Sequence, residues 1–482
     1  MDLEWNWDKN TKYLNEHLPA DTLERKKYAE FLYEVCAARG EKSNLVVNIN
    51  AEWGAGKTYF TKRLAESISS IHPTVYIDAW KEDFSDDPLL TVFSSIKEQL
   101  TGQSDKFTTL LNKTVENIGP LLKTATPIIL EGIMKKYTGI ETLSDLTKDL
   151  SGKLLELHSE KSTKIETIKK GISEWVSFIK QGDGIENKHL PLFIIIDELD
   201  RCRPNFAINL LEITKHIFNI PGVVFIIATD TEQLQHSIKV VYGNEFSASH
   251  YLNRFFDRRF LLPSPKLHQL LTTKSPDNII SEFSRYRELL NPTPPTFQIF
   301  IANCSSILES LKINLRDALK LYDRLIDTLV TSKKVFDPWL MLILLAINSK
   351  YYNEYTSIKN NTPLNIIPFP YHIHLTFNLS YSATGVQLLQ KGNNTYENTY
   401  ELKQYSGSIG DYYTTAIKIL GIENTNGNNN NDTPYEWLNG SLSTDGSISN
   451  FIKMAYAWSK AKNKGLKLEH YFDLIELSTT FE

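Results

Sequence analysis

Two apolar runs in the middle of the chain constrain the fold most, because each ends abruptly in polar residues. LPLFIIIDELD covers residues 190–200 and GVVFIIATD covers residues 222–230, with the helical pattern NFAINLLEITKHIFNI between them. Continuous apolar runs of this length are typical of strands buried on both faces of a parallel sheet. Strands that alternate with helices predict an α/β fold whose ligands bind at the carboxyl ends of the strands.

A glycine-rich turn near the N-terminus follows a further strand. The β-branched run Leu45 to Ile49 leads into AEWGAGKT, residues 51–58, and the helix-like segment TYFTKRLAESI comes next. The turn matches the phosphate-binding pattern G-x-x-x-x-G-K-[ST], except that Ala51 replaces the first glycine. Gly56 lets the backbone approach phosphate groups, and Gly54 adds flexibility. Ala51 is tolerated only with a negative φ, which the exit from a strand permits.

These strand ends together predict a magnesium–nucleotide site. Lys57 is expected to reach the β and γ phosphate oxygens, and the Thr58 hydroxyl is expected to bind magnesium. Asp197 is expected to hold the same ion, usually through water. Glu198 follows directly and is suited to polarise the attacking water as a general base. ATP and Mg²⁺ are the predicted cofactors.

The predicted site residues come from several parts of the chain. The catalytic group is Glu198, Lys57 and Arg254, and the metal ligands are Thr58 and Asp197. The residues expected to bind the nucleotide are Glu52, Trp53, Gly54, Ala55, Gly56, Lys57, Thr58, Tyr59, Thr229, Asp230 and Arg316.

Polar residues near the strand ends have candidate roles in the site, and three of them also allow a structural interpretation. Thr229 and Asp230 end the second apolar run, where a polar side chain can sense the γ-phosphate or position water. Asp230 is equally suited to cap the helix that begins at TEQLQHSI. Asp200 and Arg201 either serve the site or form a structural ion pair, with each other or with neighbours.

Arginines later in the chain are candidates for contacts with phosphate. Arg254, with Arg258 and Arg259, lies around a predicted helix-to-strand transition. An arginine from a neighbouring subunit can stabilise charge on the transferring phosphoryl group; the alternative is a surface cluster paired with nearby acids. Arg316 could reach the nucleotide as a second sensor, or pair on its helix surface with Asp317. Trp53 and Trp80 are expected to pack as a lid or brace rather than bind a base.

Composition excludes several classes of protein. The net charge of −5 argues against a dominant basic surface that coats nucleic acid, and it leaves a local basic groove open. Three widely spaced cysteines form neither a disulfide framework nor a metal-ligand pattern and favour a reducing compartment. The N-terminus lacks a secretory pattern, and the longest apolar runs fall short of the roughly 20 residues that span a bilayer. We therefore expect a cytoplasmic protein with no transmembrane segment.

The domain organisation follows from changes in pattern along the chain. A helix is expected over 21–38, with Asp21 and Glu24 at capping-box spacing, and a strand over Thr74 to Trp80. A helix and a final strand are expected over 249–263. The predicted divisions are a nucleotide-binding core at 1–100 and 189–265, a helical insertion at 101–188, a helical lid-like subdomain at 266–350 and a divergent region at 351–482. The divergent region is expected to contain a disordered Asn-rich loop near 424–432 and to end in a helical segment.

With these residues in place, the chain resembles the KAP family of P-loop NTPases, a branch of the additional-strand, catalytic-glutamate class related to AAA+ and STAND proteins. The likeness rests on the segments YAEFLYEV, AEWGAGKT, IDAWKEDFSDDPLL, IIIDELDRCRP and IPGVVFIIATD, and less specifically on SHYLNRFFDRRFLLP, INLRDALKLYD and HYFDLIEL. It implies a P-loop NTPase fold, with a parallel sheet sandwiched by helices and a mainly helical C-terminal region.

Two departures from the family pattern affect what the resemblance implies. Ala51 stands where the loop usually begins with glycine, so altered nucleotide affinity is expected. Many members carry membrane-spanning helices between the two nucleotide motifs, but residues 101–188 hold a soluble insertion here, so membrane anchoring is not carried over. Bacterial relatives often resemble components of anti-phage defence that work with separately encoded effectors.

Three functions are consistent with these features. The first is an ATP-hydrolysing oligomeric switch or assembly ATPase, which in bacterial anti-phage defence would act with a partner effector. The second is a nucleotide-dependent scaffold with negligible turnover, suggested by Ala51 and the divergent C-terminal third. The third is ATP-driven nucleic-acid remodelling, which the charge does not support because the lysines of the insertion are matched by acids.

Overall fold

The computed structural model describes two compact units, Met1–Ser264 and Pro265–Glu482. The described residues are 3–85, 87–101, 105–122, 148–180, 188–291, 293–294, 296–360, 376–381, 384–387, 396–399, 403–408, 412–413, 416–417 and 467–479. The Asn-rich loop predicted at 424–432 lies outside them.

The first unit alternates strands with helices. Its strands are β1 (Thr11–Tyr13), β2 (Glu16–Leu18), β3 (Leu45–Asn50), β4 (Thr74–Asp78), β5 (Leu192–Asp197), β6 (Val223–Thr229) and β7 (Arg258–Leu261). Its α-helices are α1 (Lys26–Gly40), α2 (Lys57–Ile68), α3 (Ala79–Glu82), α4 (Pro88–Leu100), α5 (Asp105–Leu122), α6 (Lys148–Lys180), α7 (Pro204–His216), α8 (Thr231–Tyr242) and α9 (Ala248–Leu252). Single 3₁₀ turns occupy Asp83–Ser85 and Leu199–Arg201.

Five parallel strands form the main sheet in the order β4-β5-β6-β3-β7. The two apolar runs form β5 and β6, which are buried along their whole length. Asp78 pairs in register with Asp197, and Asn50 pairs with Thr229, so the polar strand ends lie at one edge of the sheet. The predicted α/β fold with a parallel sheet is confirmed, as is the helix-then-strand pattern of 249–263, seen as α9 and β7.

Helices cover both faces of this sheet. One face carries Ile194 and Phe225 and packs in a single core with α4, α7 and α8. The other face packs against α1 and α2. Because β5 and β6 are covered on both sides, their sequences show continuous apolar runs and no alternation.

The insertion is helical wherever the structure describes it. Helices α5 and α6 pack closely at Gly171, where a Cβ atom would come within 2.5 Å of the Thr114 hydroxyl. The Trp175 indole donates a hydrogen bond to Oγ1 of Thr114 at 3.1 Å. Its ring lies 5.7 Å from the ring of Phe93 on α4, so the insertion joins the core of the first unit. Within 101–188, the described residues contain no strand.

The predicted start of the first helix is wrong. The helix was expected from residue 21, but α1 begins at Lys26. The Asp21 carboxylate accepts hydrogen bonds from the backbone N–H groups of Leu23 and Lys26, which closes a turn in front of the helix. Glu24 adopts a φ of 53°, incompatible with a helix, so the Asp21–Glu24 spacing is not a capping box.

The strand predicted over Thr74 to Trp80 ends two residues early. β4 stops at Asp78, whose carboxylate accepts a hydrogen bond from the Lys81 N–H and so caps the short helix α3. Capping by aspartate stabilises a helix start. Trp80 therefore lies on α3, with 54% of its surface exposed.

The second unit is mainly helical, as predicted. Its helices are α10 (Leu267–Lys274), α11 (Asp277–Ser281), α12 (Phe283–Tyr286), α13 (Phe297–Ser310), α14 (Leu315–Thr331), α15 (Pro338–Lys350), α16 (Tyr352–Lys359) and α17 (Leu468–Thr479). The C-terminal α17 shares one core with α13 to α15, and the Tyr471 hydroxyl accepts a hydrogen bond from the Asp337 N–H at 2.7 Å.

Short antiparallel strands in the second unit were not predicted. They are β8 (Thr376–Tyr381), β9 (Thr384–Gln387), β10 (Tyr396–Thr399) and β11 (Lys403–Ser408). β8 pairs with β11, and β9 pairs with β10. This Tyr- and Asn-rich stretch lacks the clear apolar alternation that marks a half-buried strand.

Candidate nucleotide-binding site

The glycine-rich turn connects β3 directly to α2. Gly54 and Gly56 adopt φ values of 87° and 85°, in the left-handed region that favours glycine, whereas Ala51 keeps a negative φ as predicted. A Cβ atom at Gly56 would meet no atom within 4 Å. Gly56 is therefore required by its backbone conformation and not by crowding, and the space beside it is open.

The N-terminus of α2 provides an anion-binding surface. The helix begins at Lys57 after Gly56, and no side chain caps it. The first N–H groups of such a helix have no partner within the helix, and the helix dipole favours negative charge there. The buried Lys57 ammonium lies against the loop and donates to the carbonyl oxygens of Ala51 at 2.7 Å and Glu52 at 3.2 Å. The turn thus presents a cation and open donors together.

Thr58 meets the end of β5 directly. Its hydroxyl donates a hydrogen bond to Oε1 of Glu198 at 2.8 Å, although 140 residues separate the two positions. Asp197 is fully buried, and its Oδ1 accepts a hydrogen bond from the Glu198 N–H at 2.9 Å. Its Oδ2 accepts a hydrogen bond from the Tyr76 hydroxyl at 2.9 Å. The structure therefore brings the two predicted metal ligands and the predicted general base together.

Both carboxyl groups at the end of β5 have raised pKa values. Burial raises the pKa of Asp197, and the hydrogen bonds that it accepts only partly oppose this. Burial is also the main cause that raises the pKa of Glu198, followed by the charge of Asp197. Glu198 has a φ of 59°, a strained conformation for a residue with a side chain. Carboxylates perturbed in this way are common at functional sites.

Asp200 and Arg201 contact other residues of the site and do not simply pair with each other. The Trp53 indole donates a hydrogen bond to Oδ2 of Asp200, which joins the glycine-rich turn to the segment after β5. Arg201 forms an ion pair with Glu198, and its guanidinium lies 5.3 Å from the centre of the Trp80 ring. Trp53 is 39% exposed, but its N–H group bonds to Asp200, so the indole braces the turn against the segment after β5.

The two polar residues at the end of β6 have different roles, one structural and one available to a ligand. Asp230 caps α8, because its carboxylate accepts hydrogen bonds from the N–H groups of Glu232 at 3.1 Å and Gln233 at 3.3 Å. Thr229 is fully buried, and its hydroxyl has no hydrogen-bond partner. A buried hydroxyl without a partner costs free energy, so it marks a position where a ligand oxygen is a suitable partner.

The remaining predicted residues occupy the rim of the turn or other elements. Glu52 is exposed, and the Tyr59 hydroxyl donates to the carbonyl of Pro19 at 3.0 Å. Arg254 lies in an exposed turn after α9. Arg316 is exposed in the first turn of α14, in the second unit.

The two arginines of β7 are also exposed. Arg258 and Arg259 lie on this edge strand, and the Arg259 guanidinium lies 5.9 Å from the centre of the Phe256 ring. The carboxylate of Asp257, just before the strand, accepts hydrogen bonds from the Lys215 ammonium at 3.0 Å and the Val46 N–H at 2.9 Å. This acid is therefore engaged by a lysine and by the backbone of β3.

The sequence interpretation missed four residues that hold the site in place. The buried Arg25 guanidinium donates to the carbonyl of Ala55 at 2.9 Å and also to that of Pro263. Asn48 and Asn50 on β3 accept hydrogen bonds from the Thr231 hydroxyl and N–H group. The fourth is Tyr76, the partner of Asp197. The two asparagines inside the apolar strand β3 were a signal that could have been used. Nothing in the sequence marks Arg25 or Tyr76 as a residue of the site.

The donor atoms fit a magnesium ion bound together with a triphosphate. Such an ion takes oxygen ligands and receives only one or two side chains from the protein, with phosphate oxygens and water completing the set. Thr58 and Asp197 supply suitable oxygens. Among the described residues, no cluster of three or more His, Cys, Asp or Glu side chains could hold a metal ion without phosphate.

A sequence model described as the KAP family P-loop domain matches residues 25–336, more than half of the chain. The chain therefore belongs to this family of P-loop NTPases, and its predicted membership is confirmed. No curated protein matches the chain. In the described residues, no helix is long and apolar enough to cross a membrane.

The chain also shows a distant likeness to solved structures. The Aeropyrum pernix ORC2 protein, solved as ADPNP and ADP complexes, is 13% identical, with 72% of this chain and 83% of that chain covered and a TM-score of 0.28. The Thermotoga maritima RuvB Holliday junction branch migration motor is 12% identical, with 68% and 76% covered and a TM-score of 0.23. At such TM-scores these two structures carry no conclusion about this chain.

Proposed function

We propose that the protein is an ATP-binding and ATP-hydrolysing P-loop NTPase that acts as an oligomeric switch or assembly ATPase in the cytoplasm. The observation that carries this proposal is the direct hydrogen bond between Thr58 and Glu198. It joins the phosphate-binding turn to the strand end that carries both carboxylates. Two separate segments thereby supply phosphate-binding and water-activating groups at one place.

Each residue of this group has a defined chemical role. Lys57 and the open N–H groups of α2 bind the β and γ phosphates, and Thr229 offers its hydroxyl to the γ-phosphate. Thr58 and Asp197 would hold a magnesium ion, whose charge would offset the charge on the phosphate oxygens. Glu198 accepts a proton from the attacking water or orients it. Arg254 of a neighbouring subunit stabilises charge on the transferring phosphoryl group.

Phosphate release by the purified full-length protein tests hydrolysis. We expect the wild type to release phosphate, while Glu198→Gln binds ATP with hydrolysis reduced by a factor on the order of 10² or more, as for loss of a general base. Lys57→Ala should lose both ATP binding and ATP hydrolysis. Glu212→Gln is the matched control, because Glu212 is a buried glutamate on α7 outside the site. Equal hydrolysis rates in wild type and Glu198→Gln would refute the proposal.

One observation favours the nucleotide-dependent scaffold as a second candidate. Both carboxylate oxygens of Glu198 are engaged, one by the Thr58 hydroxyl and the other by Arg201. A general base held in this way gives slow turnover until its partners are displaced. A nucleotide-dependent change in oligomer mass, measured by light scattering without detectable phosphate release, is the result that would favour the scaffold.

A role in bacterial anti-phage defence, with a separately encoded effector, is proposed from the family resemblance alone. If it is correct, expression of the chain with its genomic neighbours should reduce phage plating, and Lys57→Ala should abolish that protection. Unchanged protection by Lys57→Ala would separate any defence role from nucleotide binding.

A further inference from the structure

Tyr76 lies between the N-terminal hairpin and the buried carboxylate of Asp197. It occupies β4, an edge strand, and pairs in register with Ile195 of β5, two residues before Asp197. Diagonal positions of this kind lie on the same face of a sheet and within reach of an aromatic side chain. The Tyr76 hydroxyl donates a hydrogen bond to Oδ2 of Asp197 at 2.9 Å.

Oδ2 of Asp197 is closer to the Tyr76 hydroxyl than to the Thr61 hydroxyl, and the Thr58 side chain also hydrogen-bonds to this carboxylate. Thr61 approaches the same oxygen at 3.4 Å, and its hydroxyl is also 3.1 Å from the carbonyl oxygens of Lys57 and Thr58. Because the Thr61 hydroxyl has these alternative acceptors and a longer contact, Tyr76 constrains the orientation of the carboxylate more strongly than Thr61 does.

The backbone of Tyr76 is held by a side chain from α4. The Tyr76 N–H donates to Oε1 of Gln99 at 2.9 Å, and the Gln99 Nε2 donates to the Tyr76 carbonyl at 2.8 Å. Edge strands normally leave such groups unpaired. This paired contact closes the edge of the sheet at the residue whose side chain reaches Asp197.

The ring of Tyr76 is held by the hairpin formed by β1 and β2. The Tyr13 ring packs edge-on against it, with centres 6.2 Å apart. The Lys62 ammonium lies 5.6 Å from the centre of the Tyr76 ring and forms an ion pair with Glu16 of the hairpin. Tyr76 is only 5% exposed, so its ring has little freedom to move while the hairpin is docked.

We propose that Tyr76 is a positioning residue for the metal-binding carboxylate of Asp197 and that the N-terminal hairpin, residues 11–18, holds Tyr76 in place. This inference rests on the proposed function, in which Asp197 binds the ion that accompanies the nucleotide. Hydrogen bonds from outer partners orient metal ligands and tune their affinity. The hairpin thereby sets how tightly the site holds a divalent cation together with nucleotide.

Tyr76→Phe in the full-length protein tests this role, because it removes only the hydroxyl. Mn²⁺ binding in the presence of ADP is measured by electron paramagnetic resonance, and ADP binding in EDTA is measured by calorimetry. We expect the Mn²⁺ dissociation constant to rise about tenfold, the low end for loss of an outer partner of a metal ligand. ADP binding without metal should stay unchanged.

Two further variants separate positioning from a general effect on folding. Tyr33→Phe is the matched control, because it also removes one hydroxyl contact, to His72 at 3.1 Å, away from the site. Glu16→Gln weakens the hold on Lys62 from the half-exposed hairpin and should raise the Mn²⁺ dissociation constant in the same direction, by a smaller factor. It also replaces Tyr76→Phe as the test if that variant does not fold.

The outcomes distinguish this inference from the proposed function. If the wild type binds Mn²⁺ with ADP and Tyr76→Phe binds it equally well, the positioning role is wrong while the proposed function stands. If the Tyr33→Phe control weakens Mn²⁺ binding as much as Tyr76→Phe, the effect is general and the inference also fails. If the wild type binds neither ADP nor Mn²⁺ with ADP, both proposals fail together.

Discussion

Some ionisable side chains of this protein are buried, although charged groups normally stay in contact with water. Glu212 on α7 is 2% exposed; its Oε1 accepts a hydrogen bond from the Tyr251 hydroxyl at 3.0 Å, but Oε2 has no partner. Burial raises the pKa of this carboxyl above its usual range. The same cause raises the pKa of Glu198 at the candidate site. Ionisation of either group therefore costs free energy of folding.

Glu212→Gln should stabilise the protein at high pH and not at low pH. In the wild type, the pKa of Glu212 is higher in the folded state than in the unfolded state. Its contribution to the free energy of unfolding is therefore fully present below the unfolded-state pKa, and it is lost as the pH rises through the folded-state pKa. Urea unfolding should show a higher free energy of unfolding for Glu212→Gln than for the wild type at pH 8, and this gain should be lost as the pH falls toward 4. Glu166→Gln, at an exposed glutamate on α6, is the control, and a pH-independent difference for Glu212→Gln would contradict the raised pKa of Glu212.

At the scale of elements, the N-terminal segment supports the helix that carries Lys57 and Thr58. Trp7 is fully buried, and its indole donates to the Ser67 hydroxyl of α2 at 2.9 Å. The buried Arg63 guanidinium donates to the Asn6 carbonyl at 2.9 Å and lies 5.5 Å from the centre of the Trp7 ring. The N-terminal segment is therefore packed into the first unit, within the core predicted at 1–100.

Trp7→Ala should destabilise the first unit by about 3–5 kcal/mol, as for other large buried side chains replaced by alanine. The loss combines the cavity left by the indole with the broken hydrogen bond to Ser67. Trp5→Ala is the matched control, because Trp5 is only partly buried two residues away. Thermal unfolding followed by fluorescence measures both variants, and similar shifts in the two would show that the segment contributes no specific packing.

On the scale of the whole molecule, the chain forms two compact units, and the residues that the structure brings together at the candidate site all belong to the first. The second unit has its own apolar core, built from α10 to α17. Arg316 is the residue of the second unit predicted to reach the nucleotide. Its exposed position on α14 leaves that role a prediction.

Arg316→Ala should weaken ATP binding about tenfold if the second unit supplies a sensor, because one charge-assisted hydrogen bond is lost. Fluorescence titration with a labelled nucleotide measures the affinity. Arg285→Ala provides the comparison, since Arg285 is also exposed in the second unit and pairs with Glu282. Equal affinity in the two variants would remove Arg316 from the site.

The sequence could predict the five strands of the main sheet, the glycine-rich turn and the helix that follows it, because these depend on local pattern. Buried apolar runs gave β5 and β6 to within a residue or two, and the glycine spacing located the start of α2. The start of α1 was misplaced because Asp21 and Glu24 match the spacing of a capping box, yet Asp21 bonds within a turn. Local spacing does not reveal which backbone groups a side chain finally meets.

By itself, the sequence determined the α/β class and the two motifs, one that carries Lys57 and Thr58 and one that carries the acids at the end of β5. Only the tertiary structure decided their partners: Tyr76 on Asp197, Arg25 on Ala55, and Asp230 as a helix cap. The physical reason is that periodic burial is a local property of the chain, whereas a buried hydrogen bond depends on which distant segments the packed core brings together.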